Sequence, residues 1–192
     1  YNQTTFGAFL QNNVKVVSWL DLETGLRGDY VADYGFVLLP RLSALIAISP
    51  KLTSRLGGGF GYKTPTIFTE ESERIQYQQV MPVSASANKL EKSYGANWDI
   101  NLRTTLFGQR VSFSANHMFF YTYLKDPLQM ALLPNGLYQF QNLAGFTDSK
   151  GMETNVKLGY GDFKLFLGYS YTDTRVHAPE GVYQNLLTAK HR

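Results

Sequence analysis

Hydrophobic and polar side chains alternate along most of this chain. From Val111 to Tyr123 the odd positions are Val111, Phe113, Ala115, His117, Phe119, Tyr121 and Tyr123, and the even ones are Ser112, Ser114, Asn116, Met118, Phe120 and Thr122. Successive strand side chains point to opposite faces, so this segment has one mostly apolar face and one largely polar face. From Phe163 the pattern repeats, with Leu165, Leu167, Tyr169 and Tyr171 opposite Lys164, Phe166, Gly168 and Ser170. The same alternation runs through Met152–Tyr160, Tyr94–Arg103 and Leu20–Tyr30, and in each the charges keep to one face. The periodicity predicts about nine strands, near residues 4–12, 16–30, 36–49, 52–64, 90–106, 110–124, 146–160, 162–174 and 186–192. Several exceed the mean strand of about five or six residues. They match or exceed the roughly 9–11 tilted residues that cross a bilayer.

The connections differ in length in an ordered way. Asn12–Lys15, Ser49–Lys51, Phe107–Gln109 and Tyr160–Asp162 read as tight turns. Between them lie Val31–Gly35, a long stretch near Pro65–Lys89, Lys125–Gln141 and Arg175–Gln184. An up-and-down meander would place all the longer links at one end, the asymmetry of outer-membrane barrels. Aromatics gather at strand ends: Tyr30, Tyr121, Tyr123, Tyr169 and Tyr171 toward the long loops, Trp19, Phe107, Tyr160 and Phe163 toward the short turns. Two such belts are expected at membrane interfaces. Trp98, nearer mid-strand, stands outside the pattern. Arg27, Arg41, Arg55, Arg103 and Lys157 fall opposite the apolar face, interspersed with Asp21, Glu23, Asp29, Asp99 and Glu153. Arg or Lys facing lipid at mid-bilayer costs about 2–4 kcal/mol, so this face is predicted to line an aqueous or protein-filled interior.

Composition narrows the reading. Hydrophobic residues make up 44% of the 192, yet no apolar run approaches the length of a spanning helix. Any membrane crossing must use strands. Aromatics at 15%, with 13 Tyr and 13 Phe, suit pleated surfaces. A net charge of +3 without a basic stripe argues against nucleic acid as a partner. Without cysteine there is no disulfide framework and no thiolate metal site. Residues 1–10 have neither the basic start nor the apolar stretch of a signal peptide.

Several stretches resemble the barrel of TonB-dependent outer-membrane receptors. Thr5-Phe6-Gly7-Ala8-Phe9-Leu10-Gln11 resembles an early barrel strand, Thr24-Gly25-Leu26-Arg27-Gly28-Asp29-Tyr30 the strand that follows, and Leu39-Pro40-Arg41-Leu42-Ser43-Ala44-Leu45 the next. The most specific match is Ser54-Arg55-Leu56-Gly57-Gly58-Gly59-Phe60-Gly61-Tyr62-Lys63-Thr64-Pro65-Thr66, similar to the family's strand leading into an extracellular loop. Leu90-Glu91-Lys92-Ser93-Tyr94-Gly95 resembles the return strand, and Gly151-Met152-Glu153-Thr154 a later one. The resemblance implies an all-β, antiparallel up-and-down meander that forms part of a transmembrane β-barrel. Residues 1–192 are read as a single barrel segment, without the plug domain and the C-terminal strands. It implies the cell outer membrane as location, with outer-membrane lipid, the receptor's own plug, TonB and an extracellular nutrient as partners. The nutrient would be a ferric siderophore, cobalamin or a glycan.

Candidate chemistry is sparse. Gly57-Gly58-Gly59-Phe60-Gly61 fails as a phosphate loop, since no Gly-Lys-Ser/Thr follows and Tyr62 stands where a dinucleotide fingerprint needs glycine. His117, His177 and His191 sit on separate segments without metal-ligand spacing. Glu70, Glu71 and Glu73 read as a solvated loop, with no nucleophile beside them. Neither a catalytic constellation nor a cofactor or metal site is expected. The long loops offer a binding surface instead: Phe68, Gln76, Tyr77, Gln78 and Gln79 in one, and Tyr138, Gln139, Phe140 and Gln141 in the other, combine aromatic faces with amides. The alternative is ordinary strand extension above the membrane. The function expected is that of a receptor and transporter segment. A passive porin or structural barrel, and a soluble all-β binding domain, are the competing readings, and the soluble one would pack the apolar faces against one another.

Overall fold

The structure is a computed structural model that describes residues 3–185 and 189–192. The strands are β1 (Thr5–Val17), β2 (Leu20–Val31), β3 (Gly35–Ser49), β4 (Leu52–Lys63), β5 (Glu91–Leu106), β6 (Val111–Lys125), β7 (Leu128–Leu132), β8 (Tyr138–Asn142), β9 (Phe146–Tyr160), β10 (Phe163–Ala178) and β11 (Gly181–Gln184), with one short helix, α1 (Glu70–Arg74). Nine of the strands form one antiparallel sheet in the order β1-β2-β3-β4-β5-β6-β9-β10-β11, and β7 and β8 pair separately as a hairpin within one long connection. The meander is therefore as predicted.

Most predicted strands match within a few residues. Asn12–Lys15 does not form a turn: β1 runs on to Val17 and the turn falls at Ser18–Trp19. The tight-turn propensity of Asn12-Asn13 is outweighed by the ladder, in which Asn13 faces Glu23 and Lys15 faces Asp21. Val31–Gly35 closes more tightly than predicted, as a turn at residues 32–34 with Asp33 at φ 69° and Gly35 at φ 89°. Arg175–Gln184 is no loop, since β10 continues to Ala178 and returns as β11. Of the strand predicted at 186–192, residues 186–188 lie outside the described residues. Lys190–Arg192 run beside β10, where Ser170 and Arg192 exchange two backbone hydrogen bonds of 3.0 and 3.1 Å.

The register assigns every side chain to a face. Rows of directly opposed residues cross β5, β6, β9 and β10, such as Leu102–Ala115–Val156–Leu167 and Thr104–Phe113–Leu158–Leu165. These carry the apolar alternation. The intervening rows carry Asp99, Arg103, Asn116, Asn155, Glu153 and Lys157. Among the described residues no second layer covers the apolar rows: Leu38, Leu42, Leu56, Phe60 and Leu167 are all more than half exposed. Val31, Val37, Leu90, Phe140 and Val176 are the buried hydrophobics among the described residues, and all lie at the long-loop end. The apolar sides of Leu26 and Phe113 thus do not meet across a dry centre, which rules out the soluble packing. A single curved sheet with an uncovered apolar outside is stable only against lipid.

The β3–β4 ladder stops at Arg41–Gly59, next to Pro40, which has no N–H to donate. Above that point β3 stays with β2, while β4 pairs onward with β5 as far as Lys63–Glu91. The small core of Val31, Val37 and Leu90 sits at this parting, with Tyr34, Leu39 and Tyr62 packed against it.

Candidate functional site

The mouth is built from the two long connections, residues 64–90 and 126–145, set on the ends of β4, β5, β6 and β9. Thr69 caps α1: its Oγ1 accepts from the Ser72 N–H at 3.3 Å, and Ser72 is fully buried. After α1 the chain turns sharply. Gln76, Tyr77 and Gln79 all adopt φ between 53° and 58°, a left-handed conformation that is uncommon for side-chain-bearing residues. Phe68 and Tyr77 meet edge to face at 5.8 Å. The Tyr77 hydroxyl donates to Glu73 at 3.4 Å, and its pKa is raised by desolvation and by that carboxylate.

The two connections are laced together. The Tyr138 N–H donates to the Gln79 carbonyl and the Met81 N–H donates to the Tyr138 carbonyl, both at 2.8 Å, forming a parallel bridge between Val80 and Tyr138. The buried Asn88 donates from Nδ2 to the Phe140 carbonyl at 2.7 Å. Asn142 accepts from the Lys89 N–H at 2.7 Å and donates to the carbonyls of Lys89 and Asp126. Glu91 is buried at the foot of both connections, accepts the Leu128 N–H at 2.9 Å, and lies 3.7 Å from Lys63 Nζ. Beside this brace, burial raises the Glu71 pKa above the ordinary carboxylate value; Thr69 and Lys63 oppose the shift, and Glu91 and Glu70 add to it.

Lower on the inner face, Asp29 is 1% exposed and takes both Arg27 Nε contacts, at 2.8 and 3.0 Å, together with the Tyr62 hydroxyl at 2.9 Å. Gly7 is required beside it, because a Cβ there would stand 2.2 Å from an Asp29 oxygen. Below, Arg55 faces Asp99, and an inner-wall cavity of about 540 Å³ is lined by Arg55, Asp99, Asn101, Arg103 and Asn116. A second, of about 420 Å³, runs over Gly57, Gly59, Gly61 and Gly95 between Arg41 and Arg55.

The predicted binding residues are partly gathered. Phe68 and Tyr77 touch, both substantially exposed, with Gln76 and Gln78 exposed nearby. Tyr138 joins their loop through the bridge at Val80. Phe140 does not belong to the surface: it is 2% exposed and anchors the β7–β8 hairpin, so its ring is not open to a ligand. A mouth cavity of about 380 Å³ is instead lined by Asp33, Tyr34, Pro65, Ile67, Pro82 and Val83, among others. Sequence reasoning missed these, and also Asn88, Asn142 and Glu91, because loop asparagines and a strand-end glutamate carry no period to mark their partners. The arrangement suits non-covalent capture, with rings and amides held on a braced platform above a polar wall.

A family model described as "TonB dependent receptor-like, beta-barrel" matches residues 1–189. No curated protein matches the sequence significantly. Among solved structures, the siderophore receptor PirA from Pseudomonas aeruginosa is similar, with a TM-score of 0.70 at 18% identity over 91% of this chain and 34% of that one. The FrpB iron transporter from Neisseria meningitidis gives 0.69 at 16% identity over 94% of this chain and 27% of that one. A mutant of the ferric enterobactin receptor PfeA from Pseudomonas aeruginosa gives 0.68 at 17% identity, covering 91% and 30%. The chain spans about a third of the length of these structures or less.

Proposed function

The chain belongs to the TonB-dependent receptor β-barrel family, a family of outer-membrane receptors and not of enzymes, and from that premise we propose that it forms wall and outer mouth of a receptor importing a scarce nutrient. A ferric siderophore is the first candidate, since similar structures include siderophore receptors and an iron transporter; cobalamin and glycans are the other classes. The observation that carries the reading is the division of the sheet. One face of the sheet is apolar and uncovered, the other bears the ions, and braced loops crown one end. A plug seated against Arg55, Asp99 and Arg103 would close the lumen, and TonB would draw on it from the periplasm. Ligand capture is assigned to the mouth, with Phe68, Gln76, Tyr77, Gln78 and Tyr138 as contact residues.

The test is uptake by the full-length receptor in cells lacking their own ferric siderophore receptors. Expected is accumulation of chelated radio-iron that stops when the proton gradient is collapsed. Phe68→Ala with Tyr77→Ala should weaken binding about tenfold, the scale of losing one contact of about 1.4 kcal/mol. Uptake that survives collapse of the gradient would favour the passive porin.

A further inference from the structure

The registers set charges directly opposite one another at six places among the described strand pairs. Five join opposite signs: Lys15 with Asp21, Arg55 with Asp99, Lys63 with Glu91, Lys150 with Asp173, and Asp148 with Arg175. The sixth joins Lys92 of β5 to Lys125 of β6. Directly opposed side chains start about 4.5–5.5 Å apart at Cβ, and like charges so placed are destabilising. Both lysines are exposed, and neither takes part in an ion pair among the described residues. Of the acids next to them in sequence, Glu91 is buried and paired with Lys63, and Asp126 follows Lys125 with φ 54° and lines, with Asp33, a groove of about 290 Å³ that Lys92 and Lys89 also line.

The pair has a definite height on the barrel. It lies on the lipid-side face, one row above Tyr94 and Tyr123, whose rings stack at 4.6 Å. Below that come Ala96–Tyr121, Trp98–Phe119 and Ile100–His117, and then Leu102–Ala115 and the rows beyond it. Tyr and Trp mark the membrane–water interface, so the row above them meets lipid headgroups. On β9 and β10 the Lys92–Lys125 row continues as Phe146 and His177, and the acids of the two rows below are already paired, Asp148 with His177 and Asp173 with Arg175. The positive field is left at Lys92 and Lys125.

We propose that Lys92 and Lys125 together hold a phosphate of an anionic outer-leaflet lipid, whose headgroup rests on the Tyr94–Tyr123 stack. Two ammonium groups on adjacent strands can share one phosphate, and the anion removes the repulsion that the bare pair suffers. The inference rests on the chain's place in an outer-membrane barrel.

The experiment uses the full-length receptor in detergent, with native mass spectrometry to read bound diphosphoryl lipid A, its dephosphorylated form as control, and inorganic phosphate as competitor. Retention of the diphosphoryl form is expected, falling about fivefold per lysine in Lys92→Gln and Lys125→Gln. Lys92→Glu should abolish retention while leaving thermal stability equal or higher, because it makes the cross-strand pair one of opposite sign. Lys164→Gln, at the short-turn end, should change nothing. Equal retention by the double glutamine variant, or retention of the dephosphorylated lipid, overturns the proposal. Displacement by millimolar inorganic phosphate also overturns it, leaving a free-anion site. A receptor that stays soluble and folded without detergent refutes the barrel reading itself, an outcome distinct from loss of lipid.

Discussion

Asp29 of β2 ties that strand to β4 below the mouth. It is buried, and the Arg27 guanidinium and the Tyr62 hydroxyl both donate to its carboxylate. Asp29→Ala removes an acceptor from an ion and a phenol at once, at about 1.5–3 kcal/mol for hydrogen bonds to a charged group. Thermal unfolding of the detergent-solubilised receptor should drop accordingly, whereas Tyr62→Phe, which spares the ion pair, should cost about 1 kcal/mol. An Asp29→Ala protein as stable as the parent would refute the brace. Glu71 makes a second prediction, on pH. Its folded pKa is raised, chiefly by burial, so folding favours the neutral acid. The contribution is fully present below the ordinary carboxylate pKa and is lost as pH rises through the raised folded value. Hydrogen exchange of residues 64–90 should therefore quicken, beyond its intrinsic pH dependence, as pH climbs out of the carboxylate range, and Glu71→Gln should flatten that trend. An unchanged trend in the variant would remove Glu71 as the cause. Alternation in the sequence put Asp29 on the ion-bearing face but could not supply Tyr62 as its partner. Tyr62 has the opposite parity, and it reaches Asp29 because β3 and β4 have parted there.

At the scale of elements, the mouth loops are held by a few backbone-directed amides and one ring. Phe140 is sealed in, and Asn88 bonds its carbonyl. Phe140→Ala should cost about 3–5 kcal/mol of local stability. That exceeds what a short hairpin can spare, so limited proteolysis should cut within 126–145 while the long strands stay protected. Protection equal to the parent's would mean that the β7–β8 hairpin is held by something else. The same loops mark where the sequence stopped being informative. Period two is readable wherever the two faces meet different surroundings, which is why β2, β5, β6, β9 and most of β10 were legible to within a few residues. It misled at Asn12–Lys15, where turn-prone residues lie inside a ladder that pairs Lys15 with Asp21. It gave no signal for β7 and β11, while the alternation of Tyr138–Gln141 falls on β8, the strand extension that was the alternative to a binding surface there. Residue type alone marks the contact residues expected from the sequence, and type cannot tell the exposed Phe68 from the buried Phe140.

The described residues form a sheet without a hydrophobic interior along its length, so its stability depends on what lies against each face. The outer rows from Trp98–Phe119–Met152–Tyr171 down to Leu106–Val111–Tyr160–Phe163 cover eight residue steps. At about 3.3 Å per residue and a tilt near 40°, that is roughly 20 Å of height, close to the apolar band of about 25 Å that such barrels present to lipid. Leu167 and Val156 sit in the middle row and Asn155 beside them on the inner face, opposite Gly168. A charge should therefore be priced by face and not by residue. Leu167→Arg should destabilise the full-length receptor in bilayers by about 2–4 kcal/mol, while Asn155→Arg, one position from Val156, should cost at most about 1 kcal/mol. Denaturant titration of folding into lipid vesicles reads both. Equal penalties would mean that the two faces see the same medium, and the assignment of outside to lipid and inside to a polar lumen would fail. If the penalties separate as expected, repeating the pair higher up, at Tyr171 and Thr172, should shrink the gap, because the penalty on the lipid face falls toward about 0–1 kcal/mol at the interface. That decline, strand position by strand position, would locate the membrane boundary from this chain's own energetics.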